Sequence, residues 1–131
     1  MMNSDYTQLP LFMCYSRCST CAKARKWLEN HDVQYTERDI KENRPTYSEL
    51  KDWFERSGLP IKRFFNTSGQ SYRKLDTDHR PESLTVDESL HLLATDGMLV
   101  KRPILVDQDQ VLVGFRLEDW ERYYHTYRHT S

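Results

Sequence analysis

The sequence lacks a long apolar run: no window approaches the roughly 20 consecutive apolar residues that a membrane-spanning helix needs. It also lacks the features of a signal peptide, because the polar start MMNSDYTQ contains neither a basic segment nor an apolar one. These absences argue against a membrane-bound or secreted protein. We therefore expect the chain to be cytoplasmic and to have no membrane partner.

No charge of one sign dominates, because 19 Lys and Arg residues are balanced by 20 Asp and Glu residues and the formal net charge is -1. The chain has no basic excess of the kind that nucleic-acid-binding surfaces show, so we expect no direct nucleic-acid partner. Hydrophobic residues make up 37 % of the 131 positions, which is enough for a buried core without disulfide bonds. We expect one domain that spans residues 1–131.

Cysteine is scarce, and Cys14, Cys18 and Cys21 are the only three in the chain. In a reducing compartment such closely spaced thiols are more often catalytic, redox-sensing or metal-binding than parts of a disulfide framework. Their C-x3-C-x2-C spacing matches iron-sulfur ligands of radical enzymes that use S-adenosylmethionine, but 131 residues cannot build the barrel of those enzymes. A zinc site would lack a second cysteine pair. We expect no bound metal.

The first third of the chain predicts a strand, a helix and a second strand. Residues 9–15 (LPLFMCY) form a nearly continuous apolar run, which is typical of a strand buried on both faces. STCAKARKWLEN has apolar residues at helical spacing, and Ser19 or Thr20 could cap its start. VQYTERDI alternates in the manner of a half-buried strand. Such a unit favours a right-handed crossover and parallel strands.

The middle third predicts a helical insertion over residues 45–97. Its first helix ends at Gly58, which can serve as a C-cap. Broken helical turns follow around Gly69, and a further helix runs from a Thr85 cap to Gly97. The insertion therefore separates the second predicted strand from the third.

The last third predicts a hairpin and a closing helix. The apolar segments 102–106 and 110–115 flank the polar connection DQDQ, and RLEDWERYYHTYRH has an amphipathic helical pattern. The predicted divisions are a core of residues 9–44 and 98–126, the insertion of residues 45–97, and flexible ends of residues 1–8 and 127–131.

Cys18 and Cys21 form a C-x-x-C pair where a predicted strand meets a predicted helix. Unpaired backbone N-H groups and the helix dipole favour a thiolate there and lower the pKa of a cysteine. Cys18, at the cap, is the better nucleophile, and Cys21, in the first turn, is placed to resolve a mixed disulfide. The alternative is that both are small buried residues, which is also the more common role for a strand residue such as Cys14.

Four segments, YSRCSTCAKARKWLE, FFNTSGQSYRKL, DGMLVKRPILV and VLVGF, resemble the bacterial arsenate reductase (ArsC-type), Spx and MgsR family. The resemblance implies an α/β, thioredoxin-like (glutaredoxin-like) three-layer sandwich: a four-stranded mixed sheet with a helical insertion between strands 2 and 3. It also implies that Cys18 is the active-site cysteine and Cys21 its redox partner. Pro103 would then follow a cis peptide bond, and Arg102 would line an oxyanion site and stabilise the Cys18 thiolate.

The chain departs from the arsenate-reductase pattern at four positions. Cys14 stands where those enzymes have a histidine, and Cys21 where they have serine or threonine. Asn66 and Phe115 replace two arginines, although Arg116 is adjacent to the second. Each lost guanidinium removes hydrogen bonds worth about 1.5–3 kcal/mol, so we expect inefficient arsenate reduction. The predicted oxyanion or substrate contacts are Ser19, Thr20, Asn66, Arg102, Pro103 and Arg116.

These features predict a thiol-disulfide oxidoreductase with no bound cofactor. Its co-substrate would be a thiol reductant, namely glutathione with glutaredoxin, thioredoxin or another low-molecular-weight thiol, and its partners thiol-redox proteins or small thiols. The same resemblance also implies an alternative, an Spx-like redox-sensing transcriptional regulator. Such a regulator would bind the RNA polymerase α subunit through the region around Gly58.

Overall fold

The computed structural model describes the backbone of residues 9–130 and the side chains of residues 9–127. The strands are β1 (Leu11–Cys14), β2 (Thr36–Asp39), β3 (Ile104–Val106) and β4 (Val111–Val113). The α-helices are α1 (Ser19–Asn30), α2 (Tyr47–Ser57), α3 (Gln70–Arg73), α4 (Val86–Thr95) and α5 (Leu117–Thr130). Short 3-10 turns cover Ile61–Phe64, Thr77–His79, Pro81–Ser83 and Gly97–Leu99.

The four strands form one mixed sheet in the order β2-β1-β3-β4. β1 is parallel to β2, whereas β3 is antiparallel to both β1 and β4. Because side chains alternate along each strand, the sheet has two buried faces. Met13 and Ile104 pack in one core with α2 and α4, while Phe12 and Leu105 pack in another with α1 and α5. The predicted thioredoxin-like, three-layer fold with its insertion between β2 and β3 is confirmed.

The helix ends follow local signals, with two corrections to the sequence prediction. Cys18 itself occupies the N-cap of α1, so the expectation that Ser19 or Thr20 caps this helix was wrong. α2 ends at Gly58 in the left-handed conformation, with φ 69°, as predicted. α4 ends at Asp96 rather than at Gly97, which instead begins a 3-10 turn.

The last helix is fixed against the hairpin by aromatic side chains. Trp120 is fully buried, and its Nε1 donates a hydrogen bond to the carbonyl of Gly114 at 3.0 Å. Tyr123 is also buried, and its hydroxyl donates to Asp107 Oδ2 at 2.7 Å. α5 continues to Thr130, beyond residue 126 where the sequence placed the end of the core. The other predicted flexible end, residues 1–8, lies outside the described residues, as does residue 131.

None of the helices within residues 9–130 combines the length and the apolar character that crossing a membrane requires.

Candidate active site

Cys18 lies where the loop after β1 turns into α1. Its backbone N-H donates to the carbonyl of Tyr15 at 3.1 Å, and its own carbonyl accepts from Ala22 at 3.1 Å, so the residue is fixed at the helix start. The extended conformation of Cys18, with φ -98° and ψ 119°, is the usual conformation of an N-cap residue. Its sulfur therefore lies at the positive end of the helix.

The surroundings of Cys18 lower its pKa below the ordinary value of a thiol. Burial is the largest single influence and opposes ionisation, but hydrogen bonds to the sulfur outweigh it. They come from the backbone N-H and the thiol of Cys21, the backbone N-H of Thr20 and the guanidinium of Arg102. Cys18 is therefore the cysteine that the structure prepares to react as a thiolate.

Cys21 is fully buried next to Cys18, and its pKa is shifted in the opposite direction. Burial is the main reason why its pKa rises to about 12, and the hydrogen bond with Cys18 raises it as well, although the backbone N-H of Tyr15 donates to its sulfur at 3.3 Å and opposes this. Cys21 thus remains a thiol that donates to the Cys18 thiolate. The Cys18 sulfur can attack a substrate while the Cys21 thiol stays within hydrogen-bonding distance of it. A nucleophile and its resolving thiol require this arrangement.

Five of the predicted residues line one open cleft of about 560 Å³, which we call the Cys18 cleft. They are Cys18, Thr20, Asn66, Arg102 and Arg116.

The remaining predicted residues do not line the Cys18 cleft. Cys21 is buried behind Cys18, Ser19 is exposed at the start of α1, and Pro103 is buried. The peptide bond between Arg102 and Pro103 is cis, as predicted.

Arg102 is held next to Cys18 by two further contacts. Its guanidinium lies over the ring of Tyr15 at 5.2 Å from the centroid, and its Nη1 donates to the carbonyl of Met98 at 3.4 Å. A guanidinium fixed in this way loses little freedom when it binds an anion. The geometry therefore suits the anion-stabilising role predicted for Arg102.

Three other cationic residues line the cleft and were not predicted from the sequence: Lys62, Arg63 and Lys101. Among the residues that the structure describes, no acidic side chain lines the cleft, which gives it a positive character that the net charge of -1 conceals. Lys62 also pairs with Glu82 at 2.9 Å. A signal was present, because the KR pair directly precedes the FFNTSG segment.

Backbone pairing between two distant segments brings these cations together. Phe65 forms an antiparallel bridge with Val100, and the N-H of Lys101 donates to the carbonyl of Phe64 at 2.8 Å. The N-H of Asn66 donates to the carbonyl of Leu99 at 2.8 Å. The basic pair before Phe64 and the basic pair after Val100 are therefore next to each other at the cleft.

Cys14 lies outside the cleft, with 2 % of its surface exposed. Arg25 Nη2 donates to its sulfur at 3.3 Å, and the same guanidinium binds Glu37 through two hydrogen bonds of 3.1 and 3.0 Å. Burial, followed by the hydrogen bond with the Glu37 carboxylate, raises the pKa of Cys14 to about 12. The structure thus favours a structural role for this cysteine.

Cys14 is expected to resist alkylation in the folded protein. Iodoacetamide at neutral pH should modify Cys18 first, because only Cys18 combines a lowered pKa with access to the cleft. Peptide mass spectrometry after timed labelling measures each rate, and labelling in urea provides the control in which all three cysteines react. Labelling of Cys14 as fast as Cys18 in the folded protein would contradict this assignment.

No metal centre accompanies these thiols in the described part of the chain. Its histidine, cysteine, aspartate and glutamate side chains form no cluster of three or more that could hold a metal ion. The neighbours of Cys18 are instead hydrogen-bond donors, which suit a thiolate or a bound anion.

A model of the ArsC family matches residues 14–123, which contain all three cysteines and Arg102. The chain belongs to the ArsC family. It is 47 % identical to the uncharacterised protein YusI of Bacillus subtilis over 110 residues, which are 84 % of this chain and 93 % of YusI. It is 33 % identical to the regulatory protein MgsR of the same organism over 104 residues, which are 79 % of this chain and 81 % of MgsR.

Solved structures agree with this ArsC-family assignment. An ArsC family related protein from Bacteroides fragilis superimposes with a TM-score of 0.84 and 48 % identity, and the match covers 88 % of this chain and 98 % of that one. The described roles of the relatives include regulation as well as a relation to ArsC. The names of the relatives therefore include that of a regulator.

Arg102→Gln is expected to raise the pKa of Cys18 in this ArsC-family protein, because the variant replaces a charged donor with a neutral one. Alkylation of Cys18 should become slower at neutral pH and recover at alkaline pH, where the thiol ionises without help. Arg116→Gln is the control, since Arg116 is exposed and lines the cleft but does not hydrogen-bond to Cys18. An unchanged pH profile for Arg102→Gln would contradict the role of Arg102.

Proposed function

We propose that this chain is a thiol-disulfide oxidoreductase with Cys18 as the nucleophile and Cys21 as the resolving cysteine. One observation carries the proposal: Cys18 has a lowered pKa and borders an open cleft, and Cys21 is a buried thiol in hydrogen-bond contact with it. Two equivalent buried thiols would not provide this asymmetry. The membership in the ArsC family supports the same chemistry.

The proposed reaction begins when the Cys18 thiolate attacks one sulfur of a substrate disulfide. A mixed disulfide forms, and the other substrate sulfur leaves as a thiolate that takes up a proton. Cys21 then loses its proton and attacks the sulfur of Cys18, which releases the second substrate thiol and leaves a Cys18–Cys21 disulfide. The substrate gains two electrons, and an external thiol reductant returns them to the protein.

The cationic side chains of the cleft support this reaction electrostatically. Arg102 and the first turn of α1 stabilise the Cys18 thiolate before attack. They also favour the release of Cys18 as a thiolate when the external thiol reductant reduces the Cys18–Cys21 disulfide, because a low pKa makes a thiolate a better leaving group. The same features thus assist both the attack on the substrate and the return of Cys18 to its reduced form.

We expect arsenate to be a poor substrate. At the positions where arsenate reductases have three arginines, this chain keeps Arg102 but has Asn66 and Phe115. Arg63 and Arg116 also line the cleft, yet its volume of about 560 Å³ exceeds what a small tetrahedral anion fills. The cations are therefore better suited to a larger anionic substrate.

A coupled assay tests the proposal. Glutathione disulfide, a peptide disulfide and arsenate are offered as substrates at equal concentration. Thioredoxin is the reductant for all three, glutathione with glutaredoxin is a second reductant for the peptide disulfide and arsenate, and the rate without the protein is subtracted. The expected result is turnover of a disulfide that clearly exceeds turnover of arsenate. No turnover of either disulfide with any reductant, by protein whose three thiols are confirmed to be reduced, would contradict the proposal.

A redox-sensing regulator is the second candidate, favoured by the 33 % identity with the regulatory protein MgsR. The family resemblance implies contact with the RNA polymerase α subunit around Gly58, which ends α2 on a partly exposed turn. In this function the Cys18–Cys21 disulfide would act as a switch. Co-purification with the α subunit in only one redox state supports the regulator, and no binding in either state argues against it.

A further inference from the structure

β4 is the edge strand of the sheet, and its residues Val111 and Val113 line a cleft although they are only 6 % and 5 % exposed. It pairs with β3 on one side, and among the described residues no strand pairs with it on the other. Unpaired strand edges carry backbone donors and acceptors that can bind an extended peptide.

The hydrogen-bond pattern shows which groups of β4 point outwards. The N-H of Gly114 donates to the carbonyl of Pro103 at 2.7 Å, and the N-H of Asp107 donates to the carbonyl of Gln110 at 2.8 Å. Hydrogen-bonded pairs alternate along an antiparallel ladder, so Leu112, opposite Leu105, is directed towards β3.

Val111 and Val113 occupy the alternate positions of the same ladder. Their backbone N-H and C=O groups therefore point away from β3, into the space beside the sheet. Two residues spaced in this way offer two donors and two acceptors, the pattern that a further antiparallel or parallel strand uses.

A cleft of about 260 Å³ runs along this side of β4 between α2 and α5, and we call it the edge groove. Its walls include Arg56, Leu59, Arg63, Val111, Val113 and Arg122. Arg63 and Val113 also line the Cys18 cleft. The edge groove and the Cys18 cleft therefore adjoin each other at Arg63 and Val113, which places β4 beside the Cys18 cleft.

The charge changes along the two adjoining clefts. At the Cys18 end, the cleft is lined by Lys62, Arg63, Lys101, Arg102 and Arg116, with no carboxylate among the described lining residues. At the far end, Asp109 and Asp119 balance Arg56 and Arg122. The surface thus favours a ligand that carries its negative charge next to the reacting sulfur.

We propose that the substrate of this thiol-disulfide site is a partner protein that binds as an extended strand along β4, with acidic residues next to its reacting cysteine. Its backbone pairs with Val111 and Val113, and its acidic side chains face the cations around Cys18. The inference rests on the proposed function. Because only two residues of β4 face outwards, the pairing with the partner strand is short and dissociates quickly. This suits a protein that must release its product.

The test traps the mixed disulfide between Cys18 and a substrate and then measures amide hydrogen exchange along β4. The Cys21→Ser variant lacks the resolving thiol, so Cys18 should remain joined to the substrate as a mixed disulfide. The probes are a short peptide disulfide with glutamates around its cysteine, the same peptide with lysines in their place, and glutathione disulfide. Amide hydrogen exchange, measured by NMR, is compared between the free and the trapped protein.

The expected result is that exchange at Val111 and Val113 becomes about tenfold slower or more with the acidic peptide and does not change with glutathione. The N-H of Leu112, which is already bound to β3, is the internal control and also reports that the variant is folded. If the serine variant does not fold, Cys21→Ala replaces it.

Other outcomes separate this inference from the proposed function. Trapping of the acidic peptide without slower exchange at Val111 and Val113 overturns the strand pairing, and equal trapping of the lysine peptide overturns the preference for acidic residues. Trapping of glutathione alone is consistent with the proposed oxidoreductase function but contradicts the proposal that the substrate is a protein. Trapping of none of the probes overturns both.

Discussion

Cys18→Ser is expected to reduce disulfide turnover to the uncatalysed background, a loss on the order of a thousandfold or more, because a serine hydroxyl is not ionised at neutral pH. The effect should be large because the structure gives a lowered pKa to Cys18 alone among the three cysteines. Turnover is measured with a peptide disulfide and an enzymatic thioredoxin system, with no small thiol present.

The Cys21→Ser variant is the matched comparison, because it removes a sulfur from the same pair. With the peptide disulfide alone and no reductant, it should complete the first attack and then stop, so that mass spectrometry shows one equivalent of mixed disulfide on Cys18. Cys14→Ser should retain turnover if it folds, since Cys14 lies outside the cleft. Full turnover by Cys21→Ser without a small thiol would show that Cys21 is not the resolving cysteine.

Gly97→Ala is expected to lower the free energy of unfolding by about 3 kcal/mol. A Cβ on Gly97 would lie 1.9 Å from the carbonyl oxygen of Ile40 and 2.9 Å from its carbonyl carbon. Both atoms belong to the backbone just after β2, so no side-chain rotation relieves the clash. The segment before β3 or the end of β2 must move instead.

Gly58→Ala provides a matched control for this prediction. Gly58 has a φ of 69°, but a Cβ there would meet nothing within 4 Å, so the cost arises from the left-handed backbone alone and is about 1 kcal/mol. Urea unfolding of the two variants measures the difference. Equal destabilisation would show that the contact between Gly97 and Ile40 is not a tight one.

Local patterns account for the parts of the fold that the sequence predicted. The order of the elements follows from periodicity, and Gly58 ends α2 because glycine tolerates a left-handed conformation. Gly97 was misassigned as a helix end, because its close approach to Ile40 depends on the tertiary fold. β2 begins at Thr36 rather than at Val33, whose N-H instead donates to Leu28 at 3.0 Å and closes α1.

The candidate site also has features that local sequence patterns predict and features that depend on the tertiary fold. The proposed roles of Cys18 and Cys21 were identifiable because they depend on a helix start that lies within the motif itself. The positive character of the cleft was not, because Lys62 and Lys101 are brought together by the bridge between Phe65 and Val100. The Lys62–Arg63 pair is visible in the sequence next to FFNTSG, but the backbone pairing that brings it to Lys101 leaves no local pattern.

A redox titration with quantitative disulfide mapping tests the central claim most directly. The protein is equilibrated with glutathione buffers of increasing oxidised fraction, quenched with acid and alkylated, and each cysteine is followed by mass spectrometry. We expect a single two-electron transition that joins Cys18 to Cys21, while Cys14 remains a thiol throughout. A disulfide that includes Cys14, or no disulfide within the chain at any buffer ratio, would contradict it.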